Sequence, residues 1–412
     1  PATPGLCHFD VSFPLNDAFD PLAWLGEQQC YPQFYWQQRN GDEELAALGA
    51  VTQFSSLALA SQFLRAEHAP KETRICGLNA FSPEQGSLFL PRLLWRRTAG
   101  NATLRLQLWS DSSLQDDART ALELLQQLRP ARAIRPLSVQ VERETHLPQK
   151  PEWLTLIGKA TETIARGDFE KVVLARATDL QCKQRVNPVA LMAASRALNL
   201  NCYHFCMVFD ARNAFLGSTP ERLWRRRGKL LRTEALAGTV ASHTDDKQAQ
   251  RLGEWLLNDD KNQRENMLVV EDICQRLQHH TQTLEVLPAQ VVRLRKVQHL
   301  RRCIWTELKQ ADDELCLHVL QPTAAVAGLP RQPARAFIHN VEPFNREWYA
   351  GSAGYLSPDQ SEFCVALRSA RVQDDALRLY AGAGIVSGSD PEQEWQEIEN
   401  KAAGLRSLLL RD

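Results

Sequence analysis

The chain lacks the features that would place it in a membrane or on a nucleic acid. No apolar run in its 412 residues approaches the roughly 18 needed to span a bilayer. The opening residues, PATPGLCHFD, do not follow the charged-then-apolar order of a secretory signal. Cytoplasmic placement is therefore expected. Basic excess is also missing: 48 Lys and Arg face 49 Asp and Glu, for a formal charge of −1. Neither nucleic acid nor an anionic membrane is an expected partner, and a small molecule is. The ten cysteines include no C-x-x-C pair and no Cys/His cluster at zinc spacing. Reduced, packed thiols are the simpler reading. No internal repeat or low-complexity tract occurs.

What is present is a globular composition, 44% hydrophobic and 24% charged, long enough for one large domain or two ordinary ones. Residues 129–151, RPARAIRPLSVQVERETHLPQKP, carry four prolines and separate two textures. Residues 1–150 read as a sheet-rich N-terminal region, with one helix near Ser113 to Leu128. Residues 151–412 form the second region, and both are expected within the same large domain. There, PEWLTLIGKATETIARG places Trp153, Leu156, Ile157, Ala160 and Ile164 on one helical face and ends at Gly167. FEKVVLARA follows as a strand with Lys171, Val173, Ala175 and Ala177 on one side. NCYHFCMVFD, NAFLGSTPERLWRRR and KLLRTEALAGTV read as successive strands with a hairpin tip at Gly228. Helices are expected near 246–257 and 260–279, then strands in EFCVALRSARV and ALRLYAGAGIV, then a last helix. Hairpins followed by helix pairs indicate an α+β fold of antiparallel sheets.

The last helix carries the clearest chemistry. Asp390 is its N-cap and Pro391 its first residue. Trp395, Ile398, Ala402, Leu405 and Leu409 make an apolar stripe, with Glu394, Glu397 and Lys401 along one edge. Two carboxylates one turn apart repel, and a divalent cation would relieve them; a solvated acidic first turn is the plainer alternative. A second helix places Glu265 at the edge of a stripe of Met267, Val270, Cys274 and Leu277. One carboxylate from each helix would give an oxygen-only site suited to Mg²⁺. The glycines of RLYAGAGIVSGSD are spaced G-x-G-x-x-x-G, which excludes a dinucleotide loop, though amides there could hold a carboxylate. STPERL lacks a nucleophile elbow.

EKVVLARA, STPERL, EALAGTV, RENMLVVEDI, VQHLR, PTAAVAG, WYAGSAGY, FCVALRSA and LYAGAGIVSGSDPEQEWQEIENKA, in this order, resemble the chorismate-utilising enzymes. That family includes isochorismate, salicylate, anthranilate and aminodeoxychorismate synthases. YPQFYWQQRNGDEE and GLNAF in the N-terminal half are most similar to the family's isochorismate synthases of menaquinone biosynthesis. The resemblance implies packed antiparallel sheets with helices outside, and a Mg²⁺-dependent chorismate site in 151–412. It implies that Lys171 is the base activating water at ring carbon 2, and Glu221 the acid protonating the hydroxyl leaving carbon 4. Burial among Val and Ala would disfavour the ammonium form of Lys171 and bring its pKa toward a base's range. Glu265 and Glu397 would hold Mg²⁺ with Glu394 in support. Arg368, Tyr349 and amides near Gly382 would meet the enolpyruvyl carboxylate, and Gly238, Thr239, His299 and Lys401 would line the rest. Outside this context Lys171 reads as a strand-end lysine, Glu221 as a partner of Arg222 or Arg225, and His299 as a helix-face histidine. Two positions depart from other members: Asn262 stands where several carry glutamate, and Ala325 where the pyruvate-releasing synthases carry threonine. Alanine favours isochorismate formation without lyase activity. Salicylate synthase, another chorismate-using synthase and a catalytically silent binder are the alternatives. No amidotransferase subunit is expected, and the chain would be a monomer or homodimer.

Overall fold

The computed structural model describes residues 1–409; the last three positions of the expected 151–412 region lie outside it. Among the described residues there are twenty strands and ten α-helices, and every strand pair is antiparallel. No helix among them is long and apolar enough to cross a membrane.

The strands form two layers. The first runs, in pairing order, through Glu43–Phe54, Gln33–Gln37, Tyr203–Val208, Asn213–Thr219, Ser369–Gln373, Ala376–Ile385, Lys171–Cys182 and Val141–Leu147. The second runs through Ile75–Asn79, Ser352–Leu356, Gln360–Val365, Arg222–Arg227, Leu230–Ala241 and Val297–Leu308. The long strand Gly86–Thr98 pairs with both and joins them. Trp36 ties the layers directly: its indole donates to the Ala353 carbonyl at 3.2 Å, and its ring meets Tyr355 edge to face. The main core draws Phe205, Ala175 and Ala177 from the first layer and Trp224 and Phe363 from the second.

Helices cover the remaining faces. Trp153, Ile157, Ile338 and Ile398 from three helices pack on Val172, Leu174, Ala381 and Ala383. The 171–182 strand is thus buried on both sides, Ala175 and Ala177 toward one core and Val172 and Leu174 toward another. This matches the alternation read from the sequence and explains why the run has no polar face. The helix 150–165 ends at Arg166 before Gly167, whose φ is +85°. The helices 114–126, 246–258 and 260–277 fall within two residues of their expected limits, and the last begins at Pro391 as expected but ends at Arg406, with Leu409 of its stripe in a short 3-10 turn. Residues 1–150 hold three helices, 21–27, 57–66 and 114–126, where one was expected.

Candidate functional site

Two adjacent backbone links, each stepping from one layer to the other, frame the site. Strand 213–219 pairs within the first layer and 222–227 within the second, so Pro220 and Glu221 form a crossing. Strand 360–365 belongs to the second layer and 369–373 to the first, so Ala366, Leu367 and Arg368 form another. The crossings are bonded side by side: the Val365 amide donates to the Glu221 carbonyl at 3.0 Å, and the Ser218 amide to the Arg368 carbonyl at 3.2 Å. NAFLGSTPERLWRRR and EFCVALRSARV each read as a single strand in the sequence; each is two strands with a cavity-lining residue at the break. A corner where strands change sheets escapes the packing between layers, and a cavity opens there. Arg368 adopts a left-handed backbone, φ +47°, the kind of strain that gathers at binding sites.

The cavity is a small, partly open cleft with about 50 Å³ of free internal space. Glu221, Gly238, Thr239, Glu265, His299, Ala325, Tyr349, Arg368, Gly382 and Lys401 all line it. Lys171 stands just behind the wall, fully buried, with Nζ 3.4 Å from Glu265 Oε1 and no hydrogen bond of its own. Glu394 and Glu397 lie outside the lining, on the helix that supplies Lys401.

Glycine permits this closeness. Gly384 and Gly382 face Val173 and Ala175 across the antiparallel pair 376–385 and 171–182. A Cβ at 384 would clash with Glu265 Oε1 and press on Lys171 Cε, and one at 382 would meet the Tyr349 hydroxyl at 2.7 Å. Gly382 also gives its carbonyl to Lys401 Nζ at 2.7 Å. The glycine pattern therefore serves close packing on a strand face, not a phosphate loop.

The electrostatics divide the carboxyls. Burial, reinforced by the nearby Glu234 carboxylate, pushes Glu221 up to about 8 against the pull of Lys171, Arg368 and Lys401. Burial and the adjacent Glu397 push Glu394 up to about 9, whereas Lys401, 2.7 Å away, overrides burial and holds Glu397 below its ordinary range. Burial, then the cations Arg368 and Lys401, hold His299 far down, so its ring is neutral. Arg368 Nη2 lies 2.6 Å from His299 Nε2. Arginine only donates, so Nε2 accepts and Nδ1 carries the proton toward Thr239 Oγ1 at 3.0 Å and the Gly238 carbonyl at 3.3 Å. His299 belongs to the strand 297–308 and not to a helix face; its place is set by pairing with Thr239.

Each carboxylate expected to bind metal has its own lysine: Glu265 with Lys171, Glu394 with Lys261 at 3.3 Å, and Glu397 with Lys401. Among the described residues no three Asp, Glu, His or Cys side chains gather closely enough to hold a metal ion unaided. The donor set is nonetheless oxygen-only, and Glu394 Oε2 is buried with no hydrogen-bond partner. These features suit Mg²⁺, which takes one or two protein carboxylates and completes its shell from ligand and water.

The comparisons with known proteins decide the family. Residues 77–410 match the model of the chorismate binding enzymes. The chain belongs to the chorismate binding enzyme family. The isochorismate synthase MenF of Escherichia coli (strain K12) is 68% identical over 409 residues, covering 99% of this chain and 95% of the relative. The MenF of Haemophilus influenzae (strain ATCC 51907 / DSM 11121 / KW20 / Rd) is 40% identical over 413 residues, covering 100% and 93%. The solved menaquinone-specific isochorismate synthase of Escherichia coli superposes with a TM-score of 0.97 at 68% identity, covering 100% of this chain and 96% of that one. Anthranilate synthase component I from Streptococcus pneumoniae TIGR4 shares the fold at a TM-score of 0.63 and 18% identity, covering 98% and 92%.

Within this chorismate binding enzyme several supporting residues escape sequence reasoning. On helix 260–277 the buried face is centred on Asn262, Asn266, Val269 and Ile273, while Met267 and Cys274 are only half-buried. The face is shifted because the neighbouring strand 230–241 loses register between Leu236 and Thr239 and leaves carbonyls to satisfy. Asn266 Nδ2 donates at 3.1 Å to the carbonyls of Ala235, Ala237 and Leu300. Asn262 Oδ1 accepts from the Thr239 amide at 3.0 Å, so it serves the cavity wall. The only sequence signal was two asparagines on an apolar helical face.

Proposed function

We propose that this cavity converts chorismate to isochorismate. The observation carrying the reading is a buried carboxyl, Glu221, held protonated near neutral pH in the same cavity as Arg368 and within electrostatic reach of buried Lys171. In this reading Lys171 takes a proton from water as the oxygen bonds to ring carbon 2, the ring double bonds shift, and Glu221 gives a proton to the hydroxyl leaving carbon 4 as water. Water enters and water leaves, so the net change is an isomerisation. Arg368, fixed by neutral His299, suits the enolpyruvyl carboxylate because its fork matches carboxylate geometry. Tyr349, with its hydroxyl against Gly382, and Lys401 close the same wall. Gly238 and Thr239 hold His299 from the opposite strand.

Glu265 and Glu397, supported by Glu394, would hold Mg²⁺, which when bound neutralises and orients the ring carboxylate. Ala325 places no hydroxyl on its wall, which fits retention of the pyruvyl group. Residues 1–150 and 151–412 act as one domain in this reading, and the protein works without an amidotransferase subunit, in the cytoplasm, as a monomer or homodimer.

Purified protein with chorismate and Mg²⁺ should yield isochorismate without fluorescent salicylate or pyruvate, and ammonium should add no product. Salicylate would assign a lyase instead. Lys171→Ala and Glu221→Gln should each lower turnover by about 10²- to 10⁴-fold with the circular dichroism spectrum unchanged. Undiminished rates in either variant would remove the acid–base assignment.

A further inference from the structure

The crossing that carries Glu221 is gripped by a residue from the N-terminal region. Arg39 follows strand 33–37, in the first layer, and its guanidinium is largely buried. Nη1 donates to the Pro220 carbonyl at 2.8 Å, immediately before Glu221. Nη1 and Nη2 also fork onto Glu234 at 2.8 and 2.7 Å. Glu234 lies in strand 230–241, is 2% exposed, and also accepts from the Arg222 amide at 3.3 Å, immediately after Glu221. The acid is thus bracketed: the Arg39–Glu234 pair bonds the backbone on both sides of it.

We propose that Arg39 and Glu234 are positioning residues for Glu221, fixing its turn between the layers and setting a permanent negative charge beside its carboxyl. The inference rests on Glu221 being the acid. A buried ion pair is weak evidence for stability, since apolar packing often does as well, so its retention here calls for another role. The pair has two such effects. Its hydrogen bonds hold the acid-bearing turn, and the Glu234 charge, kept ionised by Arg39 despite burial, favours the neutral form of Glu221. Lys171, Arg368 and Lys401 face Glu221 from three other elements and act in the opposite sense, and Tyr349 stands nearby. Arg222 and Arg301 add to Arg39 around Glu234. Among the charges on Glu221, Glu234 is the anion that opposes those cations.

The test is the pH profile of kcat for Glu234→Gln, which keeps the shape and removes the charge. The alkaline limb should move to lower pH by about one unit, with KM for chorismate little changed. Arg39→Gln/Glu234→Gln leaves no lone buried charge and should show the same movement, which keeps the test decisive if the single variant does not fold. Arg39→Lys keeps the charge and loses the fork; it should lower kcat while leaving the limb near its wild-type position. An unmoved limb in a folded Glu234→Gln or double variant overturns the inference. Glu221→Gln assayed alongside separates the two readings: if it is inactive while the limb stays put, only the positioning pair fails, and if it is fully active, the acid assignment itself fails.

Discussion

A carboxyl proposed to donate a proton has to keep one at working pH, and Glu221 can do so because it is buried next to a second carboxylate. Its pKa of about 8 lies above its ordinary value, so the sign is fixed. Turnover should hold at neutral pH and fall as pH rises through about 8, which a kcat profile would show. The same shift affects stability. The neutral carboxyl supports the fold fully below the ordinary carboxylate range, and that support is lost as pH rises through about 8. Glu221→Gln should therefore melt higher than wild type at pH 9 and gain less at pH 6. These residues were legible only through the ordered set of motifs that resembles the family, since outside that context Lys171 reads as a strand-end lysine and Glu221 as a partner of Arg222 or Arg225. Their neighbours were not. Glu265 beside Lys171 and Glu234 beside Glu221 join residues far apart in the chain, and no local spacing encodes such pairs.

At the scale of elements, periodicity located the helices 114–126, 150–165, 246–258, 260–277 and 391–406 and many of the strands, since burial repeats every 3.6 or 2 residues, and it passed over the shorter helices 21–27, 57–66, 188–198, 313–320 and 331–341. It failed where a strand changes layers. The run from Asn213 to Arg227 is buried on both sides of the crossing, so its hydrophobic pattern continues while its hydrogen-bond partners change. It also placed His299 on a helix, because VQHLRR fits either period over so short a span. Asn266 is the test of how elements are joined at the site. Replacing it by alanine frees three buried carbonyls and the Arg302 donor that meets its Oδ1 at 2.7 Å. Asn266→Ala should cost about 1–3 kcal/mol, measurable in urea denaturation, and should raise KM because the strand carrying Gly238 and Thr239 loses its tie to helix 260–277.

At the scale of the whole molecule, the N-terminal half is part of the sheet network. Strand 33–37 pairs with 203–208, and 75–79 with 352–356, so each completes a layer begun by the C-terminal half. Removing residues 1–140 would expose the buried edges of strands 203–208 and 352–356 and take away Arg39. The truncated protein should be largely insoluble, and any soluble fraction should elute as aggregate in size-exclusion chromatography. A soluble, active fragment would contradict this.

The crossings at Glu221 and Arg368 have a further consequence. Both residues ride on rungs between the layers, so the reach from one to the other depends on how far apart the sheets are propped. That thickness is set by bulky core side chains such as Trp36 and Phe363, neither of which lines the cavity. Swapping one of them for a slimmer or fatter neighbour would retune the bite on a six-membered ring without touching a single group that meets it, so the interior acts as the gauge block of the catalyst as well as its ballast.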